Sequence, residues 1–207
     1  VGITAEKSEE SHPEKRSNKT FWILAVVFLL PYIGAFTYYF AGDRLPAMQT
    51  SNRGELIVPV RSLGALEFDL YQGTSANIND YEGKWLVLSI AGAECGEDCL
   101  HNLYMMRQVR KALSKDRFRV KRAMLFSGAA ESLQDIIVEY EGTDVWLGPQ
   151  VNVKKLLAIV DPENQGVDGR LYIIDPLGNV MMRYQPQNDP KDLLKDLKRL
   201  MKVSKAG

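Results

Sequence analysis

The sequence is poor in the residues that most often carry chemistry. Two of its 207 residues are cysteine and two are histidine: Cys95, Cys99, His12 and His101. Two cysteines are too few to staple a disulfide-held scaffold, and their closeness asks for a local explanation. Two histidines supply no histidine-rich metal site. Charge of either sign is not in surplus. Lys and Arg total 26 against 26 for Asp and Glu, so the basic excess of a nucleic-acid binder is missing. There is no internal repeat. The glycines between 142 and 148 are followed by no lysine-serine pair, which excludes a nucleotide-binding loop. No serine-histidine catalytic pair is indicated.

Long apolar runs are not lacking. From Phe21 to Gly42 the chain reads FWILAVVFLLPYIGAFTYYFAG, without a charge. A membrane-spanning helix needs roughly 20 apolar residues. Pro31 lies mid-span, where lipid-embedded helices tolerate a kink. Trp22, Tyr32, Tyr38 and Tyr39 put aromatics near both ends, as an interfacial belt expects. Lys15, Arg16 and Lys19 precede the run closely, whereas only Arg44 follows it closely. The positive-inside rule therefore places the N-terminus in the cytoplasm (or matrix) and the rest across the membrane. A cleaved signal peptide is the weaker reading, because the run exceeds a usual h-region and no clean small-x-small site follows. Residues 1–20 read as a disordered tail, 21–42 as the transmembrane helix, 43–54 as a linker and 55–207 as a folded domain.

Within that domain strands and helices alternate. Trp85 to Ala91 is a nearly continuous apolar run between Gly83 and Gly92, suited to a strand buried on both faces. Glu97 to Ser114 predicts a helix with Cys99, Leu103, Met106, Val109 and Leu113 on one stripe. Arg119 to Phe126 predicts a strand, and Glu131 to Tyr140 a helix. Leu171–Asp175 and Val180–Tyr184 flank Pro-Leu-Gly-Asn and predict a hairpin. Asp189 caps a last helix with Pro190 at its first position and Leu193, Leu194, Leu197, Leu200 and Met201 on its apolar face. The order strand, helix, strand, helix, strand, strand, helix is that of an α/β, thioredoxin-like fold, preceded here by one N-terminal transmembrane helix.

The two cysteines fall on the turn between the first buried strand and the helix after it. The positive end of a helix favours thiolate there. Glu94, Glu97 and Asp98 oppose that effect, because nearby negative charge raises a thiol pKa. Four residues apart, both sulfurs can face one side of a helical turn. They can close a disulfide, whether exchangeable or structural, or chelate a soft ion such as Cu(I). Met105, Met124, Met181 and Met182 are further soft donors, though methionines at such spacings more often pack in a core.

With these features the chain resembles the Sco/SenC family of cytochrome c oxidase assembly proteins. The resemblance is carried by the lead-in Asp80-Tyr-Glu-Gly-Lys-Trp85, the Cys95-x-x-x-Cys99 pair, Tyr172-Ile-Ile-Asp-Pro-Leu-Gly-Asn179 and the closing amphipathic helix. It implies a membrane-anchored thioredoxin-like domain in the periplasm (or mitochondrial intermembrane space), single-pass in the inner membrane. It also implies thiol-disulfide exchange or Cu(I) delivery at Cys95 and Cys99, with a cytochrome oxidase subunit or other redox or copper partner. Cys95 would attack and Cys99 would resolve. The family's prolines beside the cysteines are replaced by Gly96 and Leu100. Its third copper ligand, a histidine before the Y-x-x-D-P strand, has no counterpart in Gly166-Val-Asp-Gly-Arg-Leu171. His101 lies about 200° around the helix from Cys99 and points elsewhere. Two thiolates accept Cu(I) but do not satisfy Cu(II). The alternative is a non-catalytic scaffold or accessory subunit of a respiratory complex whose bridge is structural. A peroxiredoxin-like peroxidase is disfavoured, because Ile90-Ala-Gly-Ala-Glu-Cys95 lacks the Pro/Thr framework such enzymes place before the reactive cysteine.

Overall fold

The computed structural model describes residues 18–41 and 52–204. Residues 1–17 and 42–51, which hold His12 and most of the expected tail and linker, lie outside the described residues, as do 205–207. Helix α1 runs from Lys19 to Ala41, with Pro31 inside it. It begins two residues before the expected start, a boundary difference usual at frayed helix ends. At 1.5 Å per residue its 23 residues extend about 34 Å, enough for a hydrocarbon core of about 30 Å. Its apolar side chains, among them Phe21, Leu24, Phe28, Ile33 and Phe36, are exposed. Among the described residues it is the one helix long and apolar enough to cross a membrane.

The body is organised by strand β4, Trp85–Ala91, in which all seven residues are buried. Trp85, Val87 and Ala91 enter one apolar cluster, and Leu86, Leu88 and Ile90 enter the other. Each large apolar side chain so buried contributes on the order of 2 kcal/mol. Around β4 lie β1 (Glu55–Ser62), β2 (Glu67–Leu70), β3 (Ser75–Asn77), β5 (Val120–Phe126), β6 (Asp144–Leu147), β7 (Leu171–Ile174) and β8 (Asn179–Tyr184). The sheet order is β1-β8-β7-β4-β5-β6-β2-β3. β4, β5 and β6 are mutually parallel, and β7 joins β4 antiparallel. Helix α2 (Glu97–Ala112), helix α3 (Gln134–Glu139) and helix α5 (Pro190–Val203) cover the first face. Helix α4 (Gln150–Val160) covers the second with Val153, Leu156 and Val160. The mixed sheet with helices on both faces is a thioredoxin-like fold.

Local signals explain several elements. Asn77 and Asp80 form a reciprocal capping box on the short turn Ile78–Tyr81. Asp175 turns the β7–β8 hairpin, its Oδ1 accepting from Leu177 N at 2.9 Å and Asn179 N at 2.8 Å. Asp189 caps α5 by accepting from Lys191 N at 2.8 Å, with Pro190 following.

Three expectations change. The helix expected over 131–140 is a 3₁₀ turn, Ala130–Leu133, followed by the short α3. Helix α2 ends at Ala112 rather than Ser114, giving way to a 3₁₀ turn over Ser114–Arg119. Strands β1, β2, β3 and β6 and helix α4 were not foreseen. β6 has only four residues and lies between Gly142 and Gly148, so composition alone reads as a loop. β1 contains Pro59, which a strand tolerates at a sheet edge, and among the described strands β1 pairs with β8 alone. α4 carries four β-branched residues, which weaken a helical signal.

One buried carboxyl ties the start of the body to its last helix. Asp196 on α5, 2 % exposed, accepts through Oδ2 from Arg53 N at 2.9 Å, Gly54 N at 2.8 Å and the Tyr184 hydroxyl at 2.8 Å. Gly54 is required there, because a Cβ would stand 2.5 Å from the Tyr184 ring. Asp196→Ala strands these donors and should cost about 2–4 kcal/mol of stability in urea unfolding, against about 1 kcal/mol for Tyr184→Phe. Burial and the Asp196 contact push the Tyr184 phenol upward from its usual value of 10.0, and burial does the same at Tyr81. A phenol raised by folding contributes stability that is complete below its unfolded pKa and is lost as pH rises towards the folded one. The midpoint of unfolding should therefore decline above about pH 10, and decline less in Tyr184→Phe.

Candidate functional site

At Ala91 the chain leaves the most buried strand and turns through Gly92 to Cys95 into α2. Gly96 is the N-cap, with Glu97 and Asp98 in the first turn. Cys95 and Cys99 are joined by a disulfide with Cα atoms 5.1 Å apart, inside the usual span for such bridges. Cys99 is 4 % exposed and packs in the core, while Cys95 is half-buried. Beneath the bridge lies a third sulfur. Met124 Sδ, fully buried on β5, is 3.6 Å from Cys99 Sγ.

Close backbone packing holds this turn. A Cβ on Gly128 would stand 1.9 Å from the Ala93 carbonyl oxygen, so only glycine lets the segment after β5 pass beneath the cysteine loop. Ser127 N donates to Gly92 O at 3.3 Å across the same gap. On the other side the segment before β7 closes in. Gly169 N donates to Ile90 O at 3.1 Å, and Asn102 of α2 donates from Nδ2 to Gly169 O at 2.8 Å and to Ser89 Oγ at 3.3 Å. Asp161 and Arg170, both buried, face each other at 3.8 Å, and Asp161 Oδ2 also accepts from Gly166 N at 2.8 Å. The loop from 161 to 170 is thereby fixed at both ends. Asp168 at its tip presses its carboxyl against Gly92, 2.6 Å from where a Cβ would be.

Between these loops is a cavity of about 290 Å³, with Cys99 at its wall and Glu94, Glu97, Asp98 and Asp168 around it. Gln187, across from them, donates to Asp98 Oδ1 at 3.2 Å. Among the described residues no lysine or arginine lines it. Two fields thus compete over the sulfurs. The N-terminus of a 16-residue helix stabilises a thiolate, and four carboxyl groups destabilise it. The same acidic surround favours a partner that presents positive charge.

The two cysteines singled out from sequence are thus together, as a bridge, at the strand-to-helix turn. His101 is not with them; its Nε2 lies 3.4 Å from the Asn188 carbonyl oxygen. Among the described residues no group of three or more His, Cys, Asp or Glu side chains is placed to hold a metal. Two cysteine sulfurs and the Met124 thioether are the soft donors there, with carboxyl groups around the cavity that are not grouped to hold a metal. Reduced, the three sulfurs suit Cu(I) and do not by themselves satisfy Cu(II), which prefers nitrogen and oxygen. Sequence reasoning missed Asp168 and Asn102. Asn102 left a signal, a polar residue among the apolar stripe of Cys99, Leu103 and Met106. Asp168 left none, because only tertiary packing brings it to Gly92.

Residues 85–204 match the family model described as transmembrane-like, thioredoxin-like, C-terminal domain. Residues 7–42 match one described as phospholipase D-nuclease N-terminal. No curated protein matches the chain. Among solved structures, yeast Sco1 with copper bound is similar at 15% identity and a TM-score of 0.58, with 68% of this chain and 92% of that one covered. A SCO1/SenC family lipoprotein from Bacillus anthracis str. Ames is similar at 21% identity and a TM-score of 0.55, covering 68% and 95%. BsSco, described with a disulfide switch and as a member of the Sco family of cytochrome c oxidase assembly proteins, is similar at 16% identity and a TM-score of 0.55, covering 70% and 96%. The Sco/SenC resemblance read from the sequence is thus met in the fold.

Substitution at Gly128 tests how the cysteine loop is held. Gly128→Ala should lower stability by about 1–3 kcal/mol in urea unfolding through the clash with Ala93. Gly96→Ala, which meets open space, should cost less than about 1 kcal/mol.

Proposed function

We propose a function from one premise: this chain belongs to the transmembrane-like, thioredoxin-like C-terminal domain family. It acts as a membrane-anchored assembly factor for a haem-copper (cytochrome c) oxidase, exchanging disulfides with a partner through Cys95 and Cys99. The observation that carries this reading is the bridge at the strand-to-helix turn, with one sulfur half-buried and the other in the core wall of an open cavity. BsSco, similar in fold, is described by a disulfide switch, and yeast Sco1 by bound copper. The basic residues before α1 support an inner-membrane anchor with its N-terminus in the cytoplasm and the domain in the periplasm or intermembrane space.

The exchange balances without a metal. In the reduced protein the Cys95 thiolate attacks one sulfur of a partner disulfide and releases the other as thiolate. Cys99 then attacks Cys95 Sγ in the mixed disulfide, releasing the second partner thiolate and forming the Cys95–Cys99 bridge. Two electrons pass to the partner, and an external dithiol must restore the reduced form. The helix N-terminus supports the attacking thiolate. The acidic rim restrains its reactivity in the absence of a positively charged partner face. Copper enters as cargo: Cys95 and Cys99 in the reduced form, with Met124 behind Cys99, would hold Cu(I).

A second reading is favoured by two observations, the four carboxyl groups around the cavity and the near-complete burial of Cys99. Under it the bridge is structural and the domain is a scaffold or accessory subunit of a respiratory complex. The reduction potential separates the two: a value below roughly −300 mV belongs to a structural bridge, a higher one to an exchangeable bridge. The exchange reading further expects Cys99→Ser to accumulate a mixed disulfide with its partner on non-reducing gels, and Cys95→Ser to accumulate none. Oxidase maturation that proceeds normally with both cysteines replaced would refute it.

A further inference from the structure

The opposite end of α2 carries a feature that the cysteine chemistry leaves unused. Along β5 the side chains of Val120, Met124 and Phe126 enter the core face beneath α2. Arg122 holds the same alternation and is only 4 % exposed, so a guanidinium occupies a core-facing position. Its Nη2 donates to the Glu141 carbonyl oxygen at 2.7 Å. Its Nε and Nη1 are buried and have no hydrogen-bond partner among the described residues. Unpaired buried donors on a charged group are costly, and native structures rarely keep them without a reason.

Arg122 does not stand alone. Arg107, Arg110 and Lys111 from α2, and Arg117 with Phe118 from the turn after it, line a cavity of about 320 Å³ together with Arg122. Arg110 and Lys111 in the last turn of α2 also complement the carbonyl end of the helix. That does not account for Arg122, which sits on the neighbouring strand. Burial, then Arg110, then Arg107 depress the Arg122 pKa to about 10. The compensating carboxyl groups are few. Glu141 lines the cavity, and Glu139 lies 3.7 Å from Arg107 Nη1 while being 62% exposed. Asp144 near Arg122 accepts instead from the Tyr81 hydroxyl at 2.9 Å. Arg110 spends Nε on the Val120 carbonyl oxygen at 3.1 Å, leaving its terminal nitrogens for another partner, and Arg117 lies 4.7 Å over the Phe118 ring.

We propose that this cavity is an anion site that takes a phosphate group carried on a small organic body. Phosphate oxygens match the planar fork of Arg122 and supply several acceptors for Arg107 and Arg110 at once. Phe118, 64% exposed, and the aliphatic stems of the arginines give an apolar wall for whatever the phosphate is esterified to. The volume exceeds what a bare phosphate fills. Arg110 lies eleven residues beyond Cys99 on α2, about 16 Å along the helix axis, so the site is separate from the disulfide. Its failure would leave the exchange reading untouched. A soluble phosphate ester and the headgroup of an anionic phospholipid share this chemistry.

The test uses the full-length protein. In neutral detergent at constant ionic strength, glycerol 3-phosphate is titrated by calorimetry, with sodium chloride as the control anion. In parallel, the thermal midpoint is compared in nanodiscs of phosphatidylcholine and of phosphatidylcholine with phosphatidylglycerol. Arg122→Gln should weaken binding about tenfold or more, as loss of a charged hydrogen-bonding pair does. Arg110→Gln and Arg117→Gln, which leave the core-facing Arg122 in place, give the same readout if Arg122→Gln fails to fold. Saturable binding of glycerol 3-phosphate that the substitutions weaken supports the site with a soluble ligand. A rise in midpoint only with phosphatidylglycerol, abolished by the same substitutions, supports it with a lipid headgroup. No saturable binding and no lipid-dependent shift, or effects that persist unchanged in all three variants, overturns it.

Discussion

A strand with no solvent-facing side sets the geometry of this molecule. β4 is buried along both faces, so its two neighbours and the layers above and below it are fixed by one hydrophobic requirement. A central strand delivers its chain at its carboxyl end, and here it delivers Gly92 to Cys95. The parallel neighbour β5 brings Met124 beneath the bridge, and the antiparallel neighbour β7 brings the 166–170 segment over it. The cysteine site is therefore made by the burial of its supports, with Asn102 and the Asp161–Arg170 pair fixing the outer loop. A buried pair of this kind adds little net stability, because desolvation offsets the attraction, but breaking either half would free the loop.

Helix α2 joins two regions of opposite character. Its N-terminus carries the bridge in an acidic surround, and its C-terminus carries a cluster of arginines against a buried guanidinium. The formal balance of 26 basic and 26 acidic residues conceals this separation. A neutral total excludes a strongly basic protein; it does not exclude a locally basic cavity. The acidic mouth bears directly on redox behaviour. Carboxyl groups near a dithiol make its thiolate less favourable, so less of the reduced pair is in the nucleophilic form than in a neutral surround.

Legibility varied with the kind of signal. The span from Phe21, the run Trp85–Ala91, the cysteine turn, the Asp175 hairpin and the Asp189 cap each rest on local pattern or local hydrogen bonding, and each stands close to its expected residues. The short β6 and β2 and the edge strands β1 and β3 do not. Their strand state depends on partners distant in the chain, as when Glu55 pairs with Arg183 and Asp69 with Leu147. Arg122 is a clear case of concealment. In sequence it is one cation among many near the start of a strand, and only the alternation of β5 against α2 turns it into a buried one.

By itself the sequence determined the class of fold, the apolar helix before it and the turn on which two sulfurs lie, because periodicity, length and capping are properties of neighbouring residues. It left open whether those sulfurs were bridged, chelating or apart. The tertiary structure decided that they are bridged, that a thioether lies behind one of them, and that Asp168 joins the three neighbouring carboxyl groups around them. Those facts depend on which strands lie side by side and on backbones passing closely enough to require glycine at 128. Such approaches join residues far apart in the chain, and no local pattern carries them.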